Sequence, residues 1–176
     1  PRLVSTVHGL HSVSRYSEIV TCGERVIVVS EAVRSYVLDS YPRCDAGKLR
    51  LVYRGINPLE FPHGHQPHER WLEEWYRLHP QLLDTRVLTM AGRLTRLKGH
   101  HDFFDLVAKL RAGGENVHGL IVGGEDAKRI TYARELYDAV KDRGLGEAIT
   151  FAGHRGDLRD IYAVSDVVLS LSTQPE

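Results

Sequence analysis

Short, nearly continuous apolar runs alternate along this chain with amphipathic stretches, and this alternation constrains the fold more than any other feature. Runs that are apolar at every position are typical of parallel strands covered by helices on both faces. Seven runs predict strands: Leu3–Val7, Arg25–Val29, Leu49–Tyr53, Arg86–Ala91, Gly119–Val122, Ala148–Ala152 and Val167–Leu171. Helical periodicity predicts helices over Glu69–His79, His101–Arg111 and Arg129–Arg143. The sequence therefore predicts an α/β protein with doubly wound parallel sheets and right-handed crossovers.

The strand–helix rhythm is interrupted between Gly55 and Leu83, where Phe61–His68 contains too many Pro, Gly and His residues for a packed element. We place the domain boundary in this stretch: a first domain over residues 1–60, a linker over 61–67 and a second domain over 68–176. The first domain would hold three strands and the second four, so both are expected to be incomplete. The chain does not begin with Met and is expected to be a piece of a longer protein.

Charge and composition exclude several classes of protein. The 23 Lys and Arg residues balance the 23 Asp and Glu residues, so the broad positive charge of a nucleic-acid binder is absent. The longest apolar runs are far too short to cross a bilayer. Cys22 and Cys44 are the two cysteines and lack the spacing of a disulfide framework. We therefore predict a cytoplasmic protein.

The most informative segment is Met90–His100, in which a predicted strand ends at Ala91 and a predicted helix begins after Gly99. Arg93 and Lys98 lie in the loop between them. Ligands of open α/β sheets bind beyond the carboxyl ends of the strands, and cations beside a helix N-terminus favour an anion such as a diphosphate. From spacing alone, a solvated basic loop is the simpler interpretation.

The order of the neighbouring motifs resembles a known family. Gly92-Arg93 and Lys98-Gly99 are followed at matching intervals by Leu120–Gly124, Phe151–Gly153 and Leu158–Ser170; earlier in the chain, Val7–Gly9, Arg25–Val37 and Tyr53–Asn57 agree as well. Together these segments resemble the retaining family 4 glycosyltransferases, which are nucleotide-sugar enzymes of the GT-B fold. The resemblance covers nearly the whole chain. It implies two Rossmann-like domains, with the acceptor mainly on the first and the nucleotide-sugar donor on the second.

The resemblance also implies roles for individual residues. Arg93 and Lys98, beside Gly92, would bind the donor diphosphate and stabilise its growing charge, while the turn of Gly153, His154 and Arg155 would contact the nucleobase, largely through backbone groups. An ordinary turn remains the alternative for that segment.

Two further catalytic candidates come from the same resemblance. Glu176 falls where the first of two family glutamates contacts the hydroxyls of the donor sugar, and the second glutamate would lie beyond the chain end. His8 matches a histidine near the transferred sugar, with a structural turn histidine as the alternative. His11, Ser14 and Arg15 would begin the helix that follows.

The function implied is transfer of a sugar from a UDP- or GDP-sugar to an unknown acceptor, with retention of anomeric configuration and without a cofactor or metal. A nucleotide-sugar epimerase of the same architecture is one alternative, and a non-catalytic nucleotide-binding fragment is another. This scheme allows peripheral membrane association of the longer protein, and an unpaired strand edge in the first domain predicts self-association.

The histidines of the linker raise the question of a metal site. His63, His65 and His68 lie within six residues but lack the carboxylate or cysteine partners of a typical site nearby in sequence. We predict no metal there. His100 and His101 are predicted to be solvated at the start of a helix, and Trp71 and Trp75 to be packing residues one helical turn apart.

Overall fold

The computed structural model describes residues 2–125 and 130–173. The chain divides into two compact units, one formed by the described residues up to Asn57 and the other by Pro58–Thr173. Glu60 and His65 contact α5 of the second unit (Leu158–Ala163) through Arg159 and Asp160. The stretch predicted as a linker therefore packs with the second unit.

The first unit is a three-stranded parallel sheet in the order β1-β2-β3. Its elements are β1 (Val4–Val7), β2 (Arg25–Val28), α1 (Glu31–Ser40) and β3 (Leu49–Leu51). Ser30 caps α1, since its hydroxyl oxygen accepts a hydrogen bond from the Val33 amide at 3.1 Å. Val7 of β1 and Val26 and Val28 of β2 form a small core with α1 and the residue that follows it, Val33, Val37 and Tyr41.

The helix predicted to begin around His11 is not formed. Residues 11–13 are irregular, and a short 3₁₀ helix covers Ser17–Thr21 instead. The Ser14 and Ser17 hydroxyls each accept a bond from the other residue's amide, at 3.0 and 2.8 Å. These local side-chain bonds offer the backbone an alternative to the α-helix, which periodicity does not reveal.

The second unit is a four-stranded parallel sheet in the order β6-β5-β4-β7. Its strands are β4 (Arg86–Ala91), β5 (Val117–Val122), β6 (Ile149–Phe151) and β7 (Val167–Leu169). Its helices are α2 (Glu69–Leu78), α3 (His100–Ala112), α4 (Ile130–Asp142) and α5.

Helices cover both faces of this sheet. Phe103, Phe104 and Leu136 from α3 and α4 pack on one face, and Trp75 and Ile161 from α2 and α5 pack on the other. All six residues of β5 are buried as a result. The predicted α/β class with parallel sheets is confirmed, and Trp71 and Trp75 stack with ring centroids 5.1 Å apart, as expected of packing residues.

Helix α5 is absent from the predictions because it has only six residues. Its apolar positions span little more than one turn, too few for a helical period to emerge. Among residues 2–125 and 130–173, no helix is long and apolar enough to cross a bilayer.

Candidate functional site

Backbone hydrogen bonds join the chain segments that leave β4, β5 and β6 at their carboxyl ends. The Gly92 amide donates to the Val122 carbonyl at 2.8 Å, and the Gly123 amide donates to the Gly153 carbonyl at 2.8 Å. Two residues beyond the first of these bonds, Leu94 N–H donates to Gly124 O at 3.2 Å. The sheet ladder thus continues past the strands and holds three loops side by side.

Two glycines in these loops cannot be replaced without moving backbone. A β-carbon on Gly123 would lie 1.8 Å from the carbonyl oxygen of Gly92. Gly99 has a left-handed φ of 75°, and a β-carbon there would lie 2.1 Å from the carbonyl oxygen of Leu171. Glycine at both positions permits the close approach of loops on which the shape of this edge depends.

The loops enclose a cavity of about 250 Å³ at this edge of the sheet. It brings together four of the predicted binding residues, because its lining includes Gly92, Arg93, His154 and Arg155. The rest of the lining comes from the strand ends and α5: Ala91, Val122, Gly123, Gly124, Leu158 and Tyr162. Gly153 contributes its carbonyl to the loop framework rather than to the lining.

Lys98 lies directly beside the cavity. A β-carbon placed on Gly92 would be 3.4 Å from both Cδ and Cε of Lys98, so the lysine stem passes over that glycine. Arg93, the residue after Gly92, is exposed and lines the cavity itself. Both predicted cations therefore lie next to one glycine at the end of β4.

Arg96, the third cation of the same loop, is committed elsewhere. Its Nη2 donates to both carboxylate oxygens of Glu135 on α4, at 2.6 and 2.9 Å, and its guanidinium lies 4.9 Å from the Tyr132 ring centroid. This pairing ties the short 3₁₀ turn Arg96–Lys98 to α4. Arg96 is therefore directed to α4, whereas Arg93 lines the cavity and Lys98 lies beside it. The sequence alone does not distinguish Arg96 from these two cations.

Arg155 has a fixed partner in Asp157. Its Nε and Nη2 donate to the two carboxylate oxygens at 2.9 and 2.6 Å. The hydrogen bond from Arg155 holds the pKa of Asp157 below its usual value, and the same bond raises the pKa of Arg155. The sequence offered no signal for this pair beyond the two-residue spacing.

The prediction that His100 is solvated is wrong. His100 is fully buried at the first turn of α3, against Tyr132, whereas His101 is exposed as expected. Burial, followed by the nearby charge of His101, lowers the pKa of His100 to about 4. The ring is therefore neutral at physiological pH, so it adds no charge near the loop that carries Arg93 and Lys98.

The remaining catalytic candidates are His8 and Glu176. His8 follows β1 in the first unit, where its Nδ1 lies 2.5 Å from Nη2 of Arg54. Because an arginine can only donate, Nδ1 is the acceptor in this pair. Glu176 lies outside the described residues, so its predicted contact with the donor sugar stays a prediction.

Two of the three histidines in this stretch, His65 and His68, have structural partners. His65 Nε2 lies 2.6 Å from Asp160 Oδ1, and His68 Nδ1 accepts from the Arg70 amide at 3.2 Å to cap α2. Within the described part of the chain, no group of three or more His, Cys, Asp or Glu residues is arranged to hold a metal ion.

Comparisons with known proteins agree with this architecture. In a curated D-inositol 3-phosphate glycosyltransferase from Stackebrandtia nassauensis, 160 residues align at 29% identity and cover 86% of this chain. A relative of the same name from Corynebacterium urealyticum is 28% identical over 155 residues, again 86% of this chain. The chain spans about a third of the length of these relatives, 34% and 36%.

Solved structures show the same fold. A glycosyltransferase from Rickettsia africae superposes with a TM-score of 0.84 at 23% identity, over 98% of this chain and 46% of its own. HepE from Anabaena, crystallised with UDP-glucose, superposes with a TM-score of 0.80 at 21% identity, over 99% of this chain and 48% of its own. The fold is therefore α/β of the GT-B type, with Rossmann-like parallel sheets. A family model described as glycosyl transferases group 1 matches residues 85–175, just over half of the chain, and the chain belongs to that family.

Proposed function

We propose that this chain is part of a glycosyltransferase and that the cavity at the carboxyl edge of the second sheet binds its nucleoside-diphosphate-sugar donor. The observation that carries the proposal is that Arg93 lines a cavity built by glycine loops and that the Lys98 stem lies against Gly92, which lines the same cavity. Cations and close-approaching backbone at strand ends are what a diphosphate requires. Family membership and the UDP-glucose complex of HepE support the same class of donor, UDP- or GDP-linked.

The two cations would act mainly in the transition state. As the bond between the anomeric carbon and the diphosphate breaks, negative charge grows on the leaving oxygen, and prearranged positive charge stabilises that state more than the ground state. Each charge-assisted contact is worth about 1.5–3 kcal/mol. The turn of Gly153, His154 and Arg155 would supply the wall against the nucleobase.

Retention of anomeric configuration is the finer part of the proposal. The acceptor oxygen would form its bond to the anomeric carbon on the face from which the diphosphate departs, and the acceptor proton would pass to a leaving phosphate oxygen. For Glu176 we propose contact with the hydroxyls of the donor sugar, and for His8 contact with the transferred sugar. The curated relatives are named for D-inositol 3-phosphate, which makes a phosphorylated acceptor the first to test.

The test is a donor-turnover assay on the full-length protein with UDP- and GDP-sugars. Arg93→Ala and Lys98→Ala are each expected to lower kcat by about one to two powers of ten. Lys109→Ala is the matched control, because this exposed lysine lies in the last turn of α3. Complete loss of turnover with a chelator would contradict the metal-free mechanism. Inversion of a hydroxyl on the free donor, without any acceptor, would identify an epimerase instead.

A further inference from the structure

The carboxylate of Asp157 joins two parts of the second unit that are distant in sequence. It accepts two hydrogen bonds from Arg155, in the turn that lines the donor cavity, and one from the indole Nε1 of Trp71 at 2.7 Å. Trp71 belongs to α2, 86 positions earlier in the chain. One side chain thus ties the turn after β6 to a helix that packs on the sheet.

From its position just before α5, the carboxylate of Asp157 would be expected to cap that helix. Asp157 is the N-cap residue of α5, where an aspartate commonly accepts bonds from the first helical amides. Within the described chain its side chain makes no capping bond. The carboxylate instead accepts from two side chains that lie outside the helix, so its placement serves Arg155 and Trp71 rather than α5.

Arg155 is held between two side chains in this arrangement, Asp157 and Trp75. Its guanidinium is paired with both oxygens of Asp157 and lies 5.4 Å from the ring centroid of Trp75, which stacks on Trp71 at an interplanar angle of 11°. Arg155 lines the donor cavity on one side and a smaller cavity of about 120 Å³ beside α2 on the other. It therefore forms a wall whose shape depends on Asp157.

We propose that Asp157 is a positioning residue of the donor site: it fixes the turn of Gly153, His154 and Arg155 by holding Arg155 against Trp75 of α2, which stacks on Trp71. The inference rests on the proposed function, because it assumes that the cavity binds a nucleotide. In this arrangement Arg93 supplies charge to the lining of the site, whereas the charge of Arg155 is matched by Asp157 and its contribution is shape. Asp157 touches no substrate.

The experiment compares variants of the 176-residue chain by calorimetric titration with UDP and with GDP. Asp157→Asn keeps the size of the side chain and one acceptor for Trp71 but places an amide against the donors of Arg155. We expect its nucleotide dissociation constant to rise about tenfold, the effect of losing one charge-assisted contact. Glu115→Gln is the matched control, since Glu115 also pairs with an arginine, Arg86, at 3.1 Å, and is expected to bind as wild type.

A spectroscopic readout separates positioning from stability. Trp71 and Trp75 are the only tryptophans of the chain, so its indole fluorescence reports on this cluster. Nucleotide is expected to change that emission in the wild type and in Glu115→Gln, and the change is expected to be lost in Asp157→Asn. If Asp157→Asn does not fold, Arg155→Lys removes the bidentate fork while keeping the charge and is expected to show the same loss.

The outcomes distinguish this inference from the function on which it rests. If the wild type binds UDP or GDP and Asp157→Asn binds equally well, or merely melts at a lower temperature, the positioning role is overturned and the donor site stands. If neither the wild-type chain nor the full-length protein binds either nucleotide, both are overturned; if only the full-length protein binds, the same variants are compared in it.

Discussion

The two units of this chain are built from the same kind of parallel sheet, but the segments that follow their strands are held in different ways. In the second unit, the segments after β4 and β5 are held by backbone bonds and by glycine contacts too close for any side chain. In the first unit, the segment after β1 exposes Val13, Tyr16 and Ile19, and Tyr16 is 87% exposed. In the first unit the side chains of His8 and Arg54 join the segments after β1 and β3, whereas among the described residues only the second unit joins such loops by backbone hydrogen bonds. The comparison teaches that a binding edge requires loops whose backbones are fixed against each other.

The exposed apolar side chains of the first unit are consistent with the predicted self-association of the chain, which stays a prediction. The same applies to peripheral membrane association of the longer protein.

The largest effect is expected from a glycine substitution that tests the difference directly. Gly123→Ala should destabilise the second unit by more than about 3 kcal/mol, because its β-carbon would overlap the Gly92 carbonyl. Gly9→Ala is the counterpart after β1, where no described atom lies within 4 Å of the added carbon, and should be nearly neutral. Chemical denaturation of both variants provides the measurement. Equal stabilities would mean that the loop contacts of the second unit are not needed.

Acid should affect the second unit more than the first. Burial lowers the pKa of His100 and of His118 from 6.5 to about 4, and both lie in the second unit. The unfolded chain binds protons at these residues before the folded chain does, so their stability contribution is complete above pH 6.5 and is lost as the pH falls toward 4. At pH 5 the loss is about 2 kcal/mol per histidine.

Hydrogen exchange at pH 7 and pH 5 measures this effect unit by unit. Protection of β4 and β5 should fall more than that of β1 and β2, because the described part of the first unit has no buried histidine. Uniform loss of protection across both sheets would argue against the two buried histidines as the cause.

The smallest expected effect compares the ion pair that links the loop after β4 to α4 with an ordinary ion pair on the surface of the first unit. Glu135→Gln removes the charge that holds Arg96 and should cost about 0.5–1 kcal/mol, since both side chains are largely exposed. Glu31→Gln in the first unit weakens a 3.7 Å pair to Arg34 and should cost less than about 0.5 kcal/mol. Thermal melts at low and high salt check both values, and an equal cost would show that the Arg96 pairing has no special geometry.

The strands and the position of the two cations in a loop could be predicted from the sequence, because both depend on local patterns. Strands buried on two faces are continuous apolar runs, and Arg93 and Lys98 lie between a strand end and a helix start. Four site residues, Gly92, Arg93, His154 and Arg155, do line one cavity.

What the sequence could not supply depends on contacts between distant residues. Asp157 meets Trp71 across 86 positions, and Arg96 meets Glu135 across 39. No local sequence pattern predicts such pairs. The burial of His100 was missed for the same reason, since a polar residue at a helix start is expected in solvent until the packing of α4 against it is known.

The central claim is that Arg93 and Lys98 bind one diphosphate, and titration calorimetry with UDP and GDP on a double variant tests it most directly. Arg93→Ala/Lys98→Ala should weaken binding of the preferred nucleotide at least about a hundredfold, because two charge-assisted contacts are lost. Arg96→Ala, in the same loop but paired with Glu135, should bind within about threefold of the wild type. Wild-type affinity in the double variant, or an equal loss in Arg96→Ala, would contradict the claim.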